Sequence, residues 1–257
     1  GNFAAAVLLP AIKRLPGIEL VGIRSGSGVS ASHAAGKFGF RYAAESGEQL
    51  LQDPQINTLA VLTRHNLHAT QVIAALQAGK HVFCEKPLAL NQQELDEIFA
   101  ELRKPGAHLL TVGFNRRFAP HAVRMHEFFQ DRQEPLVAHY RVNAGFLPAN
   151  HWLHDPVMGG GRIIGEGCHF IDLLTFLVGQ PPVSVTAAAL PDLGRYNSDN
   201  AVLTFTFPDG SLGSLTYLAN GDKSFAKERL EVFCAGRIAV LDDFRTLELV
   251  RSGNRQV

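Results

Sequence analysis

The first half of the chain alternates short apolar runs with segments in which apolar residues recur at helical spacing. The apolar runs have the length and composition of strands and lie at 18–23, 56–63, 81–84 and 107–114. Spacings of three and four residues predict helices over 2–15, 31–38, 69–79 and 92–104. Apolar strands separated by helices are typical of a parallel sheet covered on both faces. We therefore expect a doubly wound α/β domain over residues 1–118.

In the second half of the chain, apolar residues alternate with polar ones, at the two-residue period of half-buried strands. The larger apolar residues of 201-AVLTFTF-207 share one face, and 208-PDG-210 predicts a turn into a second strand over 212–219. One helix, predicted over 162–178, interrupts these strands. We therefore expect an α+β domain with a mainly antiparallel sheet over residues 119–257.

Charge and cysteine content narrow the class of function. Lys plus Arg and Asp plus Glu both number 24, so no net positive charge favours nucleic acid or an anionic membrane surface. The sequence has no long apolar span and no leader pattern, which argues against membrane insertion and secretion. Three distant cysteines are typical of reduced thiols rather than of disulfides or a zinc site: Cys84, Cys168 and Cys234. We expect a cytoplasmic protein that acts on a small molecule without a metal.

The start of the chain matches only the tail of a dinucleotide-binding fingerprint. That fingerprint is a strand, a tight glycine turn and a helix N-terminus whose unpaired N–H groups hold a pyrophosphate. Here a predicted helix begins at once. We therefore predict a Rossmann domain that lacks its first strand, with cofactor contacts from Gly1, Asn2, Phe3 and Ala4. A glycine without a cofactor role is the alternative, and without the strand we expect these residues alone to bind NAD(P) poorly.

The next predicted strand ends in 20-LVGIRSGSG-28, where a Rossmann domain selects the ribose of its cofactor. An Asp or Glu at this point accepts hydrogen bonds from a free 2′-hydroxyl, whereas Arg and Ser suit a 2′-phosphate. This chain has Arg24 and Ser25 and no acid. The pattern favours NADP over NAD, and a solvated Arg24 without a cofactor role is the alternative.

Several motifs occur in the order found in one family of oxidoreductases. The central motif is 85-EKP-87. The others, in chain order, are 63-TRHNLHA-69, 78-AGKHVFCEKPLA-89 (which contains EKP), 113-GFNRRFAP-120 and 159-GGGRIIGEGCHFIDLL-174. Over nearly its whole length the chain resembles the glucose-fructose oxidoreductase and inositol dehydrogenase family, Gfo/Idh/MocA. GFNRRFAP and 143-NAGFLP-148 most closely resemble a subgroup often fused behind a zinc-alcohol-dehydrogenase-like module in polysaccharide biosynthesis. Such a fusion would explain a chain that begins mid-domain and is truncated at both ends.

The resemblance implies a role for the two charged residues that end the strand predicted at 81–84. Glu85 and Lys86 reach the crevice beyond the carboxyl ends of the strands, where Lys86 lies beside the nicotinamide. Pro87 fixes the backbone as it leaves this strand, and a cis bond there is one option. Without the family motifs, this Glu-Lys pair would be an ordinary surface pair.

The loop before this motif is implied to run along the cofactor. Thr63, His65 and His68 are the candidate contacts in that loop. For His68 a second interpretation is open, because a histidine at this position can cap the helix that follows.

The helix predicted over 162–178 carries Gly165, Glu166, His169 and Asp172 on one stripe, at spacings of three and four. Such a stripe is usually solvated, but two glycines inside a helix each cost about 1 kcal/mol, which suggests close packing. The resemblance places the catalytic histidine at His169 and an acid one turn earlier, where this chain has Gly165. Glu166 is the candidate replacement, although its side chain points about 100° further around the helix.

Five further residues are candidates for holding substrate hydroxyl or phosphate groups: Asn115, Arg116, Asn143, His151 and Trp152. Each has a structural alternative, because loop Asn and Arg residues often cap turns and a lone Trp usually packs. The exposed face of the second-domain sheet commonly forms a dimer interface in the family that the chain resembles. We therefore expect a homo-oligomer.

Together these features favour an NAD(P)-dependent oxidoreductase that acts on a secondary alcohol or ketone of a sugar, a sugar nucleotide or a polyol. In this reading Lys86 stabilises negative charge on the reacting oxygen and His169 is the general base. Two alternatives remain open. One is a catalytically silent ligand-binding or regulatory module with the same fold, and the other is a scaffold for a fused partner.

Overall fold

A computed structural model of the chain describes residues 3–106 and 108–257. The chain divides into two compact units, Gly1–Gly113 and Phe114–Val257. This division falls shortly before the domain boundary that we placed after residue 118. Gly1 and Asn2, for which we predicted cofactor contacts, lie outside the described residues.

The described part of the first unit alternates short strands and helices. Its strands β1 to β5 are Gly22–Ile23, Tyr42–Ala43, Thr58–Val61, His81–Cys84 and Leu110–Val112. Its helices α1 to α5 are Leu9–Ile12, Gly28–Phe38, Gly47–Gln52, His68–Gln77 and Gln92–Leu102. A π-helical turn, Ala4–Leu8, leads into α1, and a 3₁₀ turn, His65–Leu67, leads into α4.

Every strand pairing described in the first unit is parallel. Strand β1 pairs with β2, and β4 lies between β3 and β5 in a second sheet. Val61 of β3 lies beside Cys84 of β4, so these two strands end at the same edge. The predicted Rossmann-type parallel architecture is therefore confirmed, with its described strands in two sheets.

Three of the strands predicted in the first unit are longer than the observed strands. The strand predicted over 18–23 is limited to Gly22–Ile23, the one over 56–63 to Thr58–Val61 and the one over 107–114 to Leu110–Val112. These predictions rested on apolar runs, but a strand also needs a neighbour whose backbone groups pair with its own. Strand β1 has such pairing with β2 over two residues. Ala107 lies outside the described residues.

The first helix is also shorter than predicted. Instead of one helix over 2–15, the chain forms the π-helical turn Ala4–Leu8 and the short helix α1. Pro10 explains the change, because proline has no N–H to donate and its ring crowds the carbonyl group four residues earlier.

The second unit is built around one large sheet. Its strands β6 to β13 are Val137–Asn143, Ser184–Ala189, Asn200–Thr206, Leu212–Leu218, Glu228–Cys234, Arg237–Asp242, Thr246–Arg251 and Asn254–Gln256. Its helices α6 and α7 are Pro120–Phe129 and Cys168–Val178, and a π-helical turn, Ile163–Gly167, leads into α7. Two 3₁₀ turns are Asn115–Phe118 and Trp152–His154.

The sheet of the second unit has the strand order β13-β12-β11-β10-β6-β9-β8-β7. Its pairings are antiparallel apart from β6 with β9, which run parallel. Strands β8 and β9 form the predicted hairpin, with Phe205 opposite Gly213. The predicted mainly antiparallel sheet is confirmed.

Helices α6 and α7 pack on one face of this sheet and form the core of the unit. Phe170 and Leu173 of α7 are fully buried in one cluster with residues of β6 and β9. Helix α6 precedes the strands and was not predicted from the sequence. Its buried residues recur at helical spacing, at Ala122, Met125 and Phe129. In the described residues, no helix is long and apolar enough to span a membrane.

Candidate active site

The predicted cofactor residues of the first unit follow the carboxyl ends of its parallel strands. Arg24 and Ser25 follow β1, Thr63 and His65 follow β3, and Glu85 and Lys86 follow β4. Ligands of open α/β sheets bind at this edge. Of the residues predicted near the pyrophosphate, Phe3 is exposed and Ala4 is buried.

The loop after β1 offers a cation and hydroxyl groups. Ser25 Oγ donates to the carbonyl oxygen of Ser27 at 3.0 Å and contacts Ser30 Oγ. Ser27 caps α2, because its Oγ accepts the Ser30 N–H at 3.3 Å. Arg24 is exposed, and residues 24–30 contain no acid. This loop therefore offers a cation and hydroxyl groups but no carboxylate.

The loop after β4 contains a cis peptide bond between Lys86 and Pro87, the option considered from the resemblance. The Glu85 carboxylate lies against Gly113, where an added Cβ would be 2.9 Å from Glu85 Oε1. Burial raises the pKa of Glu85, and the backbone N–H and charge of Lys86 partly offset that increase. Burial also raises the pKa of the Cys84 thiol to about 12, so Cys84 stays protonated at neutral pH.

The ring of His68 contacts two backbone carbonyl groups. Its Nδ1 lies 2.7 Å from the oxygen of Pro87, and its Nε2 lies 3.2 Å from the oxygen of Thr63. The Thr63 hydroxyl in turn donates to Gln71 Oε1 at 2.9 Å. His68 is the first residue of α4 rather than its N-cap, so the capping interpretation does not describe this ring. Both ring nitrogens face the protein backbone.

His169 lies in the first turn of α7 and is 7% exposed. Phe114 packs edge-on against its imidazole ring, with the ring centroids 6.2 Å apart. The next residue, Phe170, is fully buried in the core. Because a rigid helix and an aromatic contact hold the imidazole, its orientation is restricted, as a general base requires.

Two arginines tie the 3₁₀ turn before α6 to the rest of the second unit. Arg116 forms a bidentate pair with Glu228, at 2.9 and 2.6 Å, and its guanidinium lies 4.6 Å from the ring centroid of Phe170. Arg117 forms a bidentate pair with Asp172 on α7. Arg116, which we predicted as a substrate ligand, therefore has two of its nitrogens engaged by a buried carboxylate.

Glu166 lies in the π-helical turn before α7 and accepts three hydrogen bonds. Lys227 Nζ donates to it at 2.7 Å, the Tyr217 hydroxyl at 2.5 Å and Arg162 Nη2 at 3.2 Å. Burial alone would raise the pKa of Glu166, but these partners outweigh it and lower the pKa from 4.5 to about 2. A carboxylate with so low a pKa is a weak proton acceptor.

We expect Glu166→Gln to lower the free energy of unfolding of the second unit by an amount that depends on pH. Because its pKa is lower in the folded protein, Glu166 stabilises the fold above pH 4.5 and loses this effect as the pH falls towards 2. The variant should be less stable by about 3 kcal/mol near neutral pH, and the difference should vanish in acid. Trp152 is the chain's one tryptophan and lies in this unit, so its fluorescence can follow urea unfolding. A difference independent of pH would contradict this prediction.

The other predicted substrate residues occupy different settings in the second unit. Asn143 is buried at the end of β6, and its Nδ2 donates to the carbonyl oxygen of Asp222 at 2.6 Å. His151 accepts a backbone N–H at 3.3 Å and so caps the 3₁₀ turn that follows it. Trp152 is half-buried, with its ring 5.8 Å from that of His151, and Asn115 is exposed. Asn143 and His151 therefore each hold a backbone segment.

The polar stripe predicted over 162–178 begins in the π-helical turn, not in a regular α-helix. The wider turn brings the N–H of Cys168 to the carbonyl oxygen of Ile163. A methyl group at Gly167 would meet Ile163 Cγ2 at 3.5 Å, an ordinary contact. The close packing that we expected at these helix glycines is therefore not found at Gly167.

Sequence reasoning missed the residues that hold Glu166 and α7 in place. Lys227 and Tyr217 belong to the β9 and β10 region, distant in the sequence from Glu166. Arg117 could have been found, because it repeats the charge of Arg116 within one motif and the predicted stripe offered an acid partner.

The residues that the structure describes include no group of three or more His, Cys, Asp or Glu side chains that could hold a metal ion. A nicotinamide dinucleotide fits the first unit better. The exposed Arg24 and the hydroxyl of Ser25 suit its ribose, and Lys86 supplies a cation at the same sheet edge.

Comparison with protein families gives two matches along the chain. A model described as an oxidoreductase family with an NAD-binding Rossmann fold matches residues 1–114. A model of the GFO/IDH/MocA C-terminal domain matches residues 133–238.

Named relatives include enzymes of sugar and polyol metabolism. A 1,5-anhydro-D-fructose reductase of Ensifer adhaerens is 32% identical over 68% of this chain and 53% of its own length. A myo-inositol 2-dehydrogenase of Thermotoga maritima is 30% identical over 79% of this chain and 61% of its own length. The chain thus spans between half and two thirds of the length of these two relatives.

Solved structures share the fold. An NAD-binding oxidoreductase from Klebsiella pneumoniae superposes with a TM-score of 0.84 at 26% identity, over 96% of this chain and 72% of the other. A levoglucosan dehydrogenase in complex with NADH and levoglucosan superposes with a TM-score of 0.81 at 21% identity, over 99% of this chain and 75% of the other.

Proposed function

The chain belongs to the Gfo/Idh/MocA family of oxidoreductases, and we propose that it transfers a hydride between a nicotinamide cofactor and a sugar-like substrate. The reacting group is a secondary alcohol or ketone of a sugar, a sugar nucleotide or a polyol. Relatives named as an anhydrofructose reductase and an inositol dehydrogenase support this substrate class. The observation that carries the proposal is Lys86 at the carboxyl end of a parallel strand, within the matched Rossmann fold.

The proposed chemistry assigns one task to each of two residues. A bound nicotinamide cofactor would supply the acceptor for the hydride of the carbinol carbon. Lys86 holds the reacting oxygen and stabilises the negative charge that develops on it. His169 accepts the hydroxyl proton, since imidazole titrates near neutral pH. Glu166, with its pKa of about 2, supports the turn before α7 instead of exchanging this proton.

The test of this proposal is the absorbance of reduced nicotinamide during incubation of the full-length protein with a panel of sugars, polyols and sugar nucleotides. The proposal predicts reduction of NAD or NADP with at least one compound of the panel. Cofactor binding by calorimetry without any turnover would instead favour a ligand-binding or regulatory module. Gly165, in place of the acid that the family resemblance leads us to expect, is the feature that favours that second function.

The proposed cofactor is NADP in preference to NAD, on the basis of Arg24 and Ser25. We expect Ser25→Asp to shift the preference towards NAD by at least about tenfold, or roughly 1.4 kcal/mol. The new carboxylate repels a 2′-phosphate and accepts hydrogen bonds from a free 2′-hydroxyl. The ratio of the two dissociation constants, measured by calorimetric titration, checks this result.

Ser46→Asp is the matched control for this cofactor test. Ser46 is the exposed N-cap of α3, so the substitution adds the same charge at another helix N-terminus of the first unit. Its ratio of affinities should equal that of the unmodified protein. An unchanged ratio in Ser25→Asp would show that the loop after β1 does not contact the ribose.

Three further properties belong to the same proposal. Cys84, Cys168 and Cys234 form no disulfide bond, which supports a cytoplasmic protein. A homo-oligomer is the default assembly for this family. The motifs GFNRRFAP and NAGFLP support membership of the subgroup often fused to a zinc-alcohol-dehydrogenase-like module.

A further inference from the structure

His68 is a buried histidine with no part in the chemistry proposed above. It is 1% exposed, although it belongs to a loop that we expected to run along the cofactor. Burying a polar ring costs free energy unless its nitrogens find hydrogen-bond partners. The identity of those partners therefore indicates what the ring does.

Both partners of His68 are backbone oxygens, which accept hydrogen bonds and cannot donate them. Burial lowers the pKa of His68, the two carbonyl contacts oppose this, and the charge of Lys86 lowers the pKa further. The net decrease favours the neutral ring, which carries one N–H. The shorter contact, 2.7 Å from Nδ1 to the Pro87 oxygen, assigns that hydrogen to Nδ1. Nε2, 3.2 Å from the Thr63 oxygen, then carries no hydrogen, so that contact is not a hydrogen bond.

The two carbonyl groups belong to loops on neighbouring strands. Thr63 follows β3 and Pro87 follows β4, and these strands pair in parallel. A hydrogen bond to the Pro87 oxygen fixes the residue directly after Lys86, and with it the backbone from which the lysine side chain departs. His68 therefore braces the β4 loop against the first turn of α4.

We propose that His68 is a positioning residue for Lys86, acting through its Nδ1 hydrogen bond to the Pro87 carbonyl, and that it is not a ligand of the cofactor. This assignment rests on the proposed function only for the task that Lys86 performs. The brace itself lies within the first unit and depends on no substrate.

Three substitutions of His68 distinguish the contribution of Nδ1 from that of Nε2. The amide N–H₂ of asparagine reaches roughly the position of Nδ1, that of glutamine reaches the position of Nε2, and leucine offers neither. We expect His68→Leu and His68→Gln to lower kcat by about 10-fold to 100-fold, because a small misplacement of a reacting group has that effect. His68→Asn should retain kcat within about threefold, and the dissociation constant of the cofactor should stay nearly constant in all three.

A second measurement reports on Lys86 without any turnover. Reductive methylation with ¹³C-formaldehyde gives each lysine an NMR signal, and the signal lost in Lys86→Arg is that of Lys86. This signal should shift or broaden in His68→Leu and His68→Gln, and stay in place in His68→Asn. The signal of Lys80, at the opposite end of β4, is the internal control and should not move.

Several results would overturn the positioning role. An unmoved Lys86 signal in His68→Leu, with only a lower melting temperature, would make His68 a structural core residue. A weaker affinity for the cofactor at unchanged kcat would make it a cofactor residue. The same kcat and the same Lys86 signal in His68→Asn and His68→Gln would contradict the assignment of the hydrogen bond to Nδ1. If the Lys86 signal moves as predicted but no substrate is turned over, the proposed function fails and the brace stands.

Discussion

His169→Ala should lower kcat by between about 10² and 10⁴, the range over which a positioned general base contributes. The imidazole is held in the first turn of α7 against Phe114, so the substitution removes a side chain of restricted orientation. Cofactor affinity should remain, because the residues proposed to contact the cofactor belong to other elements. Steady-state kinetics over a pH series, with cofactor titration, measures both quantities.

His126→Ala is the matched control for this prediction. His126 lies on α6 in the same unit and stacks on Phe176, with ring centroids 4.4 Å apart. Its replacement removes a comparable aromatic contact, so it should lower stability and leave kcat nearly unchanged. Near-normal turnover with a normal pH profile in His169→Ala would exclude His169 as the base and return attention to Glu166.

Lys86→Met should lower kcat by about 10² to 10³, the loss seen when one group that stabilises a developing oxyanion is removed. Methionine keeps most of the side-chain volume and removes the charge, so packing around the cis Lys86–Pro87 bond changes little. The double variant with His169→Ala should be little worse than the poorer single variant if the two residues act as a unit.

Lys80→Met is the control for the lysine prediction, since Lys80 precedes the same strand at its other end. Lys80 is buried and donates to the carbonyl oxygen of Asp53 at 2.8 Å, so its replacement should reduce stability. The kcat of Lys80→Met should stay close to that of the unmodified protein. Equal losses of kcat in both lysine variants would point to damage of β4 instead of a specific role for Lys86.

Elements defined by local sequence were the most predictable. Strand β4 matches the predicted strand residue for residue, because the apolar run 81–84 ends sharply at charged residues. The β8–β9 hairpin followed from 208-PDG-210, whose geometry is set within the turn. Helix α6 was missed, although Ala122, Met125 and Phe129 recur at helical spacing, because two histidines, an arginine and a glutamate interrupt its apolar residues.

The residues of the candidate site differ in the same way: local motifs point to some of them, and contacts between distant parts of the sequence involve others. Lys86 and His169 are proposed from motifs whose residues are adjacent in the sequence. The pairing of Arg116 with Glu228 joins residues 112 positions apart, and it depends on how the strands of the second unit align. No local sequence pattern predicts how those strands align. A side chain that sequence reasoning assigned to substrate is therefore engaged by an ion pair within its own unit.

Transfer of deuterium from a labelled substrate tests the central claim most directly. A substrate found in the nicotinamide assay would carry deuterium on its carbinol carbon, and NMR would follow the label. Hydride transfer predicts that the reduced cofactor gains one deuterium on its nicotinamide ring, and that His169→Ala slows this transfer without redirecting it. Oxidation of the substrate that leaves the cofactor unlabelled would contradict the account, because the carbinol hydrogen would then have left by another route.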